Sequence, residues 1–134
     1  MKKVVFVCVH NSGRSQMAEA FAKRLGAGKL VAESAGTEPA DALNPTVVEA
    51  MREIGYDMSG QHPKLLTLDM AESADRIITM GCGVDAGVCP AAFLPTEDWE
   101  LDDPKGRPIE RVRQIRDEIE RRVRALVEEM GSGE

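Results

Sequence analysis

The chain has 134 residues and a net charge of −6, 43% of its side chains are apolar and 30% charged, a balance that suits one folded domain and is too short for two. With no basic block and only three Phe, one Trp and one Tyr, nucleic acid is excluded as an expected partner. No apolar stretch reaches membrane length, so no membrane partner is expected, and the apolar run at residues 4–7 is too short for a secretory signal, so the expected location is cytoplasmic. Three cysteines in that compartment argue for chemistry or metal binding rather than a disulfide framework.

In chain order, Val4-Val5-Phe6-Val7 predicts a strand at about residues 3–8, and directly behind it stand Cys8-Val9-His10-Asn11-Ser12-Gly13-Arg14-Ser15. A cysteine and an arginine separated by five residues, where a strand turns into a helix, describe a loop that holds a tetrahedral oxyanion. Backbone N–H groups of residues 9–15 and the helix N-terminus supply donors and partial positive charge. Arg14 adds a planar fork matched to phosphate-like oxygens. The same field favours Cys8 as a thiolate aimed at the anion. A competing reading makes Cys8 a buried structural residue and Arg14 a surface charge. It leaves unexplained Asn11, Ser12, Gly13 and Ser15, which suit left-handed backbone and local hydrogen bonding. His10 fits the rim of such a loop better than the role of base or metal ligand.

A helix follows at about 14–26, with Met17, Ala18, Phe21, Ala22 and Leu25 at helical spacing and Gly26 closing it. Strand signals recur at 29–34 and 75–80. Between them, Asn44 as N-cap and Pro45 at the first position begin a helix running to Gly55, and a short helix is expected at 67–74. Residues 82–107 read as an irregular segment rich in Gly, Pro and Asp, a pattern associated with function. A long helix starts near Pro108, with Ile109, Val112, Ile115, Ile119, Val123 and Leu126 in one apolar stripe. Its other face, carrying Arg111, Arg113, Asp117, Glu120, Arg121 and Arg122, reads as a solvated surface. The strands are continuous rather than alternating, as in a sheet covered on both faces. Alternating strands and helices imply an α/β fold with a doubly wound parallel sheet. Ligands in such folds bind beyond the carboxyl ends of the strands, where Cys8 and Cys82 should emerge together.

Cys82 and Cys89 enclose six residues. Extended, that interval spans roughly 24 Å, whereas a disulfide needs Cα atoms within about 7 Å. Gly83 and Gly87 permit the coiling this requires. With Cys8 near Cys82, and Cys89 reaching Cys82 after rearrangement, the three thiols would form a relay. Zinc binding and two ordinary small apolar residues are the competing readings, but neither His10 nor His62 completes a recognisable ligand set, so no metal is expected. In the irregular segment, Asp103, restricted by Pro104, is a candidate acid for a departing oxygen. An Asp-Pro pair is also an ordinary turn signal, and the residues alone leave both readings open.

The segments Val7-Cys8-Val9-His10-Asn11-Ser12-Gly13-Arg14-Ser15-Gln16-Met17-Ala18-Glu19-Ala20, Glu33-Ser34-Ala35-Gly36-Thr37, 82–90 and Asp98-Trp99-Glu100-Leu101-Asp102-Asp103-Pro104 together resemble the low-molecular-weight tyrosine phosphatase superfamily. Within it, the chain resembles the thioredoxin-coupled arsenate reductases. The Ser-Gln-Met-Ala-Glu continuation and the paired cysteines are more typical of the reductases, and the tyrosine pair that often follows the phosphatases' Asp-Pro is replaced by Lys105-Gly106.

The resemblance implies a four-stranded parallel sheet flanked by helices, no cofactor, and a defined course. Cys8 attacks arsenate held by the loop amides and Arg14, while Asp103 protonates the leaving hydroxyl. Cys82 then attacks the Cys8 adduct, arsenite leaves, and Cys89 moves the disulfide outward to Cys82–Cys89, where thioredoxin reduces it. Ser15 would stabilise the Cys8 thiolate. Gly81-Cys82-Gly83 is also similar to reductases that use a small thiol such as mycothiol, although those lack a cysteine at the position of Cys89. Two further alternatives are a phosphatase and a non-catalytic oxyanion or thiol-redox sensor.

Overall fold

The computed structural model describes residues 2–81 and 97–131. Its first strand, β1 (Lys2–Cys8), lies inside a four-stranded sheet in which every pairing is parallel. Helix α1 (Arg14–Leu25) leads to β2 (Leu30–Gly36), which pairs with β1 from Lys2↔Leu30 to Cys8↔Gly36. Helices α2 (Pro45–Arg52) and α3 (Leu68–Ser73) then lead to β3 (Arg76–Thr79), on the other side of β1. A two-residue strand, β4 (Glu97–Asp98), extends the edge, giving the order β2-β1-β3-β4, and α4 (Ile109–Gly131) follows.

The unbroken apolar run of β1 is explained by covering on both faces. Val4, Phe6 and Cys8 enter the main core with α1, α2 and α4, while Val5 and Val7 join Ile77 beneath Leu66, Ala71 and Ala74. All four residues from Val4 to Val7 are fully buried. On α4, the apolar stripe buries Val112, Ile115, Ile119, Val123, Leu126, Val127 and Met130 against α1 and α2. Full burial of each such side chain is worth about 1.5–3 kcal/mol, so this stripe outweighs any surface charge pairing on the helix.

The boundaries shift by a few residues from those read in the sequence. α2 stops at Arg52 instead of Gly55, and β2 continues to Gly36. β4 falls where only irregular chain was expected, because two residues carry no periodic signal. The polar face of α4 is also more than a solvated surface. Arg113 makes a two-pronged contact with Glu53 at 2.6 and 2.9 Å, and the buried Arg116 donates to the Ala50 carbonyl at 2.8 Å, tying α4 to α2.

Asn44 starts α2 as its side chain predicts, accepting from Thr46 N at 2.9 Å and Val47 N at 3.4 Å. Its own N–H donates to the Ser12 carbonyl at 2.8 Å, so the helix cap is also a strut beneath the Cys8 loop. Asn44→Ala is expected to destabilise the protein by about 1 kcal/mol in urea denaturation.

Candidate active site

Parallel strands end together, and β1 and β3 deliver Cys8 and Gly81 to one cavity at the carboxyl edge of the sheet. The loop between β1 and α1 forms its floor, contributing Cys8, Val9, His10, Ser12, Gly13 and Arg14. Its backbone is turned by its surroundings. The carbonyls of Val9, His10 and Ser12 accept from the N–H groups of Glu38, Ala40 and Asn44 at 2.8–2.9 Å. The Gly13 carbonyl accepts from Met17 N at 3.0 Å, and the Asn11 carbonyl from Gln16 Nε2 at 3.1 Å. All peptides here are trans, so the N–H of each peptide points opposite to its carbonyl. The Asn11 N–H accordingly donates to Cys8 Sγ at 3.1 Å.

Asn11 occupies the left-handed region at φ 51°. Its side chain holds it there, with Oδ1 accepting from Gln16 Nε2 and Lys64 N at 2.9 Å each, and Nδ2 donating to Ser15 Oγ at 2.7 Å. Ser15 Oγ lies 2.9 Å from Cys8 Sγ. Its hydroxyl can accept from Asn11 and still donate its proton to sulfur, so a Cys8 thiolate receives two donors, Ser15 and the Asn11 amide. Asn11, Ser15 and Gln16 are wholly buried. Helix α1 has Gly13 at its N-cap, no side-chain cap and no acidic residue in its first turn, which leaves the helix end open to an anion.

Arg14 closes one side. Its Nη1 donates to the carbonyls of Met80, Gly81 and Leu101 at 2.8, 2.9 and 2.7 Å, and its Nη2 lies 3.9 Å from Asp103 Oδ2. Asp103 is about half exposed on the same cavity, and its Oδ1 accepts from Lys105 N at 3.0 Å. The following Pro104 is buried on Gly13: a Cβ there would stand 3.0 Å from Pro104 Cγ, so glycine lets the Asp103 loop sit on the oxyanion loop. Asp102 is engaged by Arg111. His10 stands at the rim with Nδ1 donating to the Glu38 carbonyl at 3.0 Å.

The sequence-predicted residues Cys8 to Ser15 and Asp103 thus come together. Cys82 and Cys89 lie outside the described residues. Among the described residues, no group of three or more His, Cys, Asp or Glu could hold a metal ion, and no helix is long and apolar enough to cross a membrane.

The residues bracing the loop from behind escaped the sequence reading. Gln16 binds Asn11 on one side, while its Oε1 accepts from Gln61 Nε2 at 2.7 Å. Glu19, buried one turn further along, accepts from Lys23 Nζ at 2.6 Å, from Lys64 Nζ at 3.3 Å and from Ser34 Oγ. Two polar side chains, three apart, on the inner face of a helix otherwise lined by Met17, Ala18, Ala20 and Phe21 were the available signal. Burial alone would raise the Glu19 carboxyl, but hydrogen bonds from Lys23 and Ser34, with the charges of Lys64 and Lys23, outweigh it and hold the group below its ordinary value. A depressed native value contributes stability that is complete above the unfolded value, about pH 4.3, and lost as pH falls through the native one. Glu19→Gln should therefore lower urea stability by about 1–3 kcal/mol near pH 7. The gap to wild type should close in the acid range, where the wild-type carboxyl takes its proton.

Comparison with known proteins agrees with this geometry. The family model for low molecular weight phosphotyrosine protein phosphatase matches residues 3–133. The glutaredoxin arsenate reductase of Synechocystis sp. is 43% identical over 131 residues, covering 95% of this chain and 97% of that protein. A solved arsenate reductase in its phosphate-binding state superposes with a TM-score of 0.85 at 42% identity, over 97% of this chain and 99% of that one. The thioredoxin-dependent arsenate reductase of Corynebacterium glutamicum gives 0.80 at 35% identity, over 100% of this chain and 64% of its own. With its cysteine loop, its parallel sheet and a family match over nearly its whole length, the chain belongs to the low molecular weight phosphotyrosine protein phosphatase family.

Proposed function

We propose that this chain is a single-domain cytoplasmic arsenate reductase. The observation that carries the reading is Cys8 Sγ, held by the Asn11 N–H and Ser15 Oγ at an uncapped helix N-terminus, facing Arg14 and Asp103 across one cavity. The likeness to named arsenate reductases supports it.

Arsenate binds through the loop amides of residues 9–15 and the Arg14 fork. The Cys8 thiolate attacks arsenic and displaces a hydroxyl, which leaves as water on taking the Asp103 proton. Cys82 then attacks Cys8 sulfur as a thiolate. The Cys8–arsenic bonding pair stays with arsenic, which passes from As(V) to As(III) and departs as arsenite, while Cys8–Cys82 becomes a disulfide. The Cys89 thiolate attacks Cys82, the pair is redrawn as Cys82–Cys89, and Cys8 returns as a thiolate. A dithiol protein, or two molecules of a small thiol, supplies the two electrons that reduce Cys82–Cys89 and is itself left as a disulfide. Thioredoxin is our first choice of donor; glutaredoxin, named for one relative, and a small thiol such as mycothiol are the alternatives.

A phosphatase is the second reading, since the loop recognises four tetrahedral oxygens and not their central atom. Against a phosphotyrosine substrate, no Phe, Tyr or Trp lines the cavity among the described residues, so none offers a face to an aryl ester.

The test is arsenate-dependent NADPH oxidation by the reduced protein with thioredoxin and thioredoxin reductase, run beside a glutaredoxin–glutathione system. Turnover that needs arsenate and one of these donors supports the reductase and names its partner; cleavage of p-nitrophenyl phosphate with no arsenite formed makes the chain a phosphatase. Cys89→Ser should release about one equivalent of arsenite per chain and stop with Cys8 and Cys82 joined. Sustained turnover by that variant excludes the relay. Asp103→Asn should slow the first step by about 10²-fold or more while leaving arsenate affinity within about twofold. Unchanged turnover would move the acid role to Asp102 or to water.

A further inference from the structure

Arg14 is usually thought of as a donor to an anion, yet one of its two terminal nitrogens is fully occupied by protein. Nη1 is surrounded by the carbonyls of Met80, Gly81 and Leu101, all within 2.9 Å. These acceptors come from two separate elements, the exit of β3 and the chain after β4. An arginine side chain has several rotatable bonds and about 2 kcal/mol of rotamer entropy. A collar of three carbonyls removes that freedom before any ligand arrives, and leaves Nη2 and Nε as the prongs for an anion.

Whether the collar can close depends on Gly81. Its φ is +103°, and a Cβ built there would stand 2.6 Å from the Leu101 carbonyl oxygen, 2.9 Å from Arg14 Nη1 and 3.0 Å from Leu101 N. Two of those contacts are with backbone, which cannot yield as a flexible side chain would. Any other L-residue must push the Leu101 segment away from β3 or displace the guanidinium.

We propose that Gly81 is a positioning residue for oxyanion binding: by lacking a Cβ it lets three carbonyls grip Arg14 Nη1 and aims the remainder of the fork into the cavity. The inference rests on the reading of this cavity as an oxyanion site. It also links that site to the proposed relay in sequence, because Cys82 follows directly on Gly81, whose carbonyl is one of the three that hold Arg14.

The experiment compares wild type, Gly81→Ala and Gly28→Ala as reduced proteins. Gly28 also has a positive φ, +80°, but nothing within 4 Å of its Cβ position, so its variant reports the backbone penalty alone. Affinity for inorganic phosphate is measured by calorimetry, and Cys8 alkylation is followed with anionic iodoacetate and neutral iodoacetamide. Gly81→Ala should weaken phosphate binding by about tenfold or more and lower the iodoacetate-to-iodoacetamide rate ratio, whereas Gly28→Ala should lower stability and leave both readings at wild-type values. Equal phosphate affinity and an equal rate ratio in Gly81→Ala overturn the proposal. Wild type that binds neither phosphate nor arsenate overturns the oxyanion reading instead. If Gly81→Ala does not fold, the Arg14 guanidinium NMR signals of anion-free wild type decide: restricted rotation about the Nε–Cζ bond upholds the collar, and free rotation removes it.

Discussion

Everything at the candidate site depends on a loop whose carbonyls are held outward. A peptide dipole serves an anion only while its N–H end faces the ligand, and an unrestrained loop would average that orientation away. Five successive carbonyls, from Val9 to Gly13, are each taken by a donor from behind or from α1. Those donors belong to the chain after β2, to the start of α2 and to α1 itself, so the parallel sheet and its helices act as a frame for eight residues. Asn11 is the point of highest demand. Its left-handed backbone costs energy for any residue but glycine, and its amide side chain offsets that cost through Gln16, Lys64 and Ser15.

An anion site in a chain with net charge −6 needs a local explanation. Asp98, Glu100, Asp102 and Asp103 all border the cavity, so its wall is more acidic than its floor. These carboxylates stand near open water, where the screening length is about 8 Å at physiological salt. The loop amides, the open end of α1 and Arg14 act at hydrogen-bond distance, with little solvent between donor and ligand. Direct donors therefore decide affinity, and the acidic wall acts mainly on what else approaches. A compact oxyanion passes with few contacts beyond the floor, while an ester carrying further negative charge must face the wall.

The residues that meet at the candidate site were legible because the chemistry they suit restricts residue type. Cys8, Arg14 and their spacing declared the loop, and Asn44-Pro45 declared the helix that supports it. The apolar runs of β1, β3 and α4 marked the sheet and its cover, since burial on two faces or along one stripe leaves a periodic record. What escaped was set by tertiary contact. β4 is two residues long and exists only because β3 offers it an edge. The role of Gln16 is invisible until Asn11, Gln61 and the His62 carbonyl converge on its side chain. Backbone carbonyls are invisible to sequence altogether, and those of Met80 and Leu101 could not be foreseen as ligands of Arg14.

Within one family the same loop can serve hydrolysis or reduction, and the difference lies in the second nucleophile. After a thiolate has captured a tetrahedral centre, water attacking the central atom returns an oxyanion of unchanged oxidation state. A thiolate attacking the sulfur instead leaves the bonding pair on the central atom and reduces it by two electrons. The protein therefore selects its reaction by controlling what can reach the sulfur of Cys8. Gly81, the last described residue before Cys82, accepts a hydrogen bond from Arg14, the arginine proposed to hold the anion. For the proposed relay, a thiol carried on the same chain gains over one from solution, because intramolecular attack is far faster than its bimolecular counterpart when the groups can meet. Water would have to compete in a cavity whose donors are already committed to the anion. In the proposed reductase, that second nucleophile is the thiol that follows Gly81 directly in the sequence.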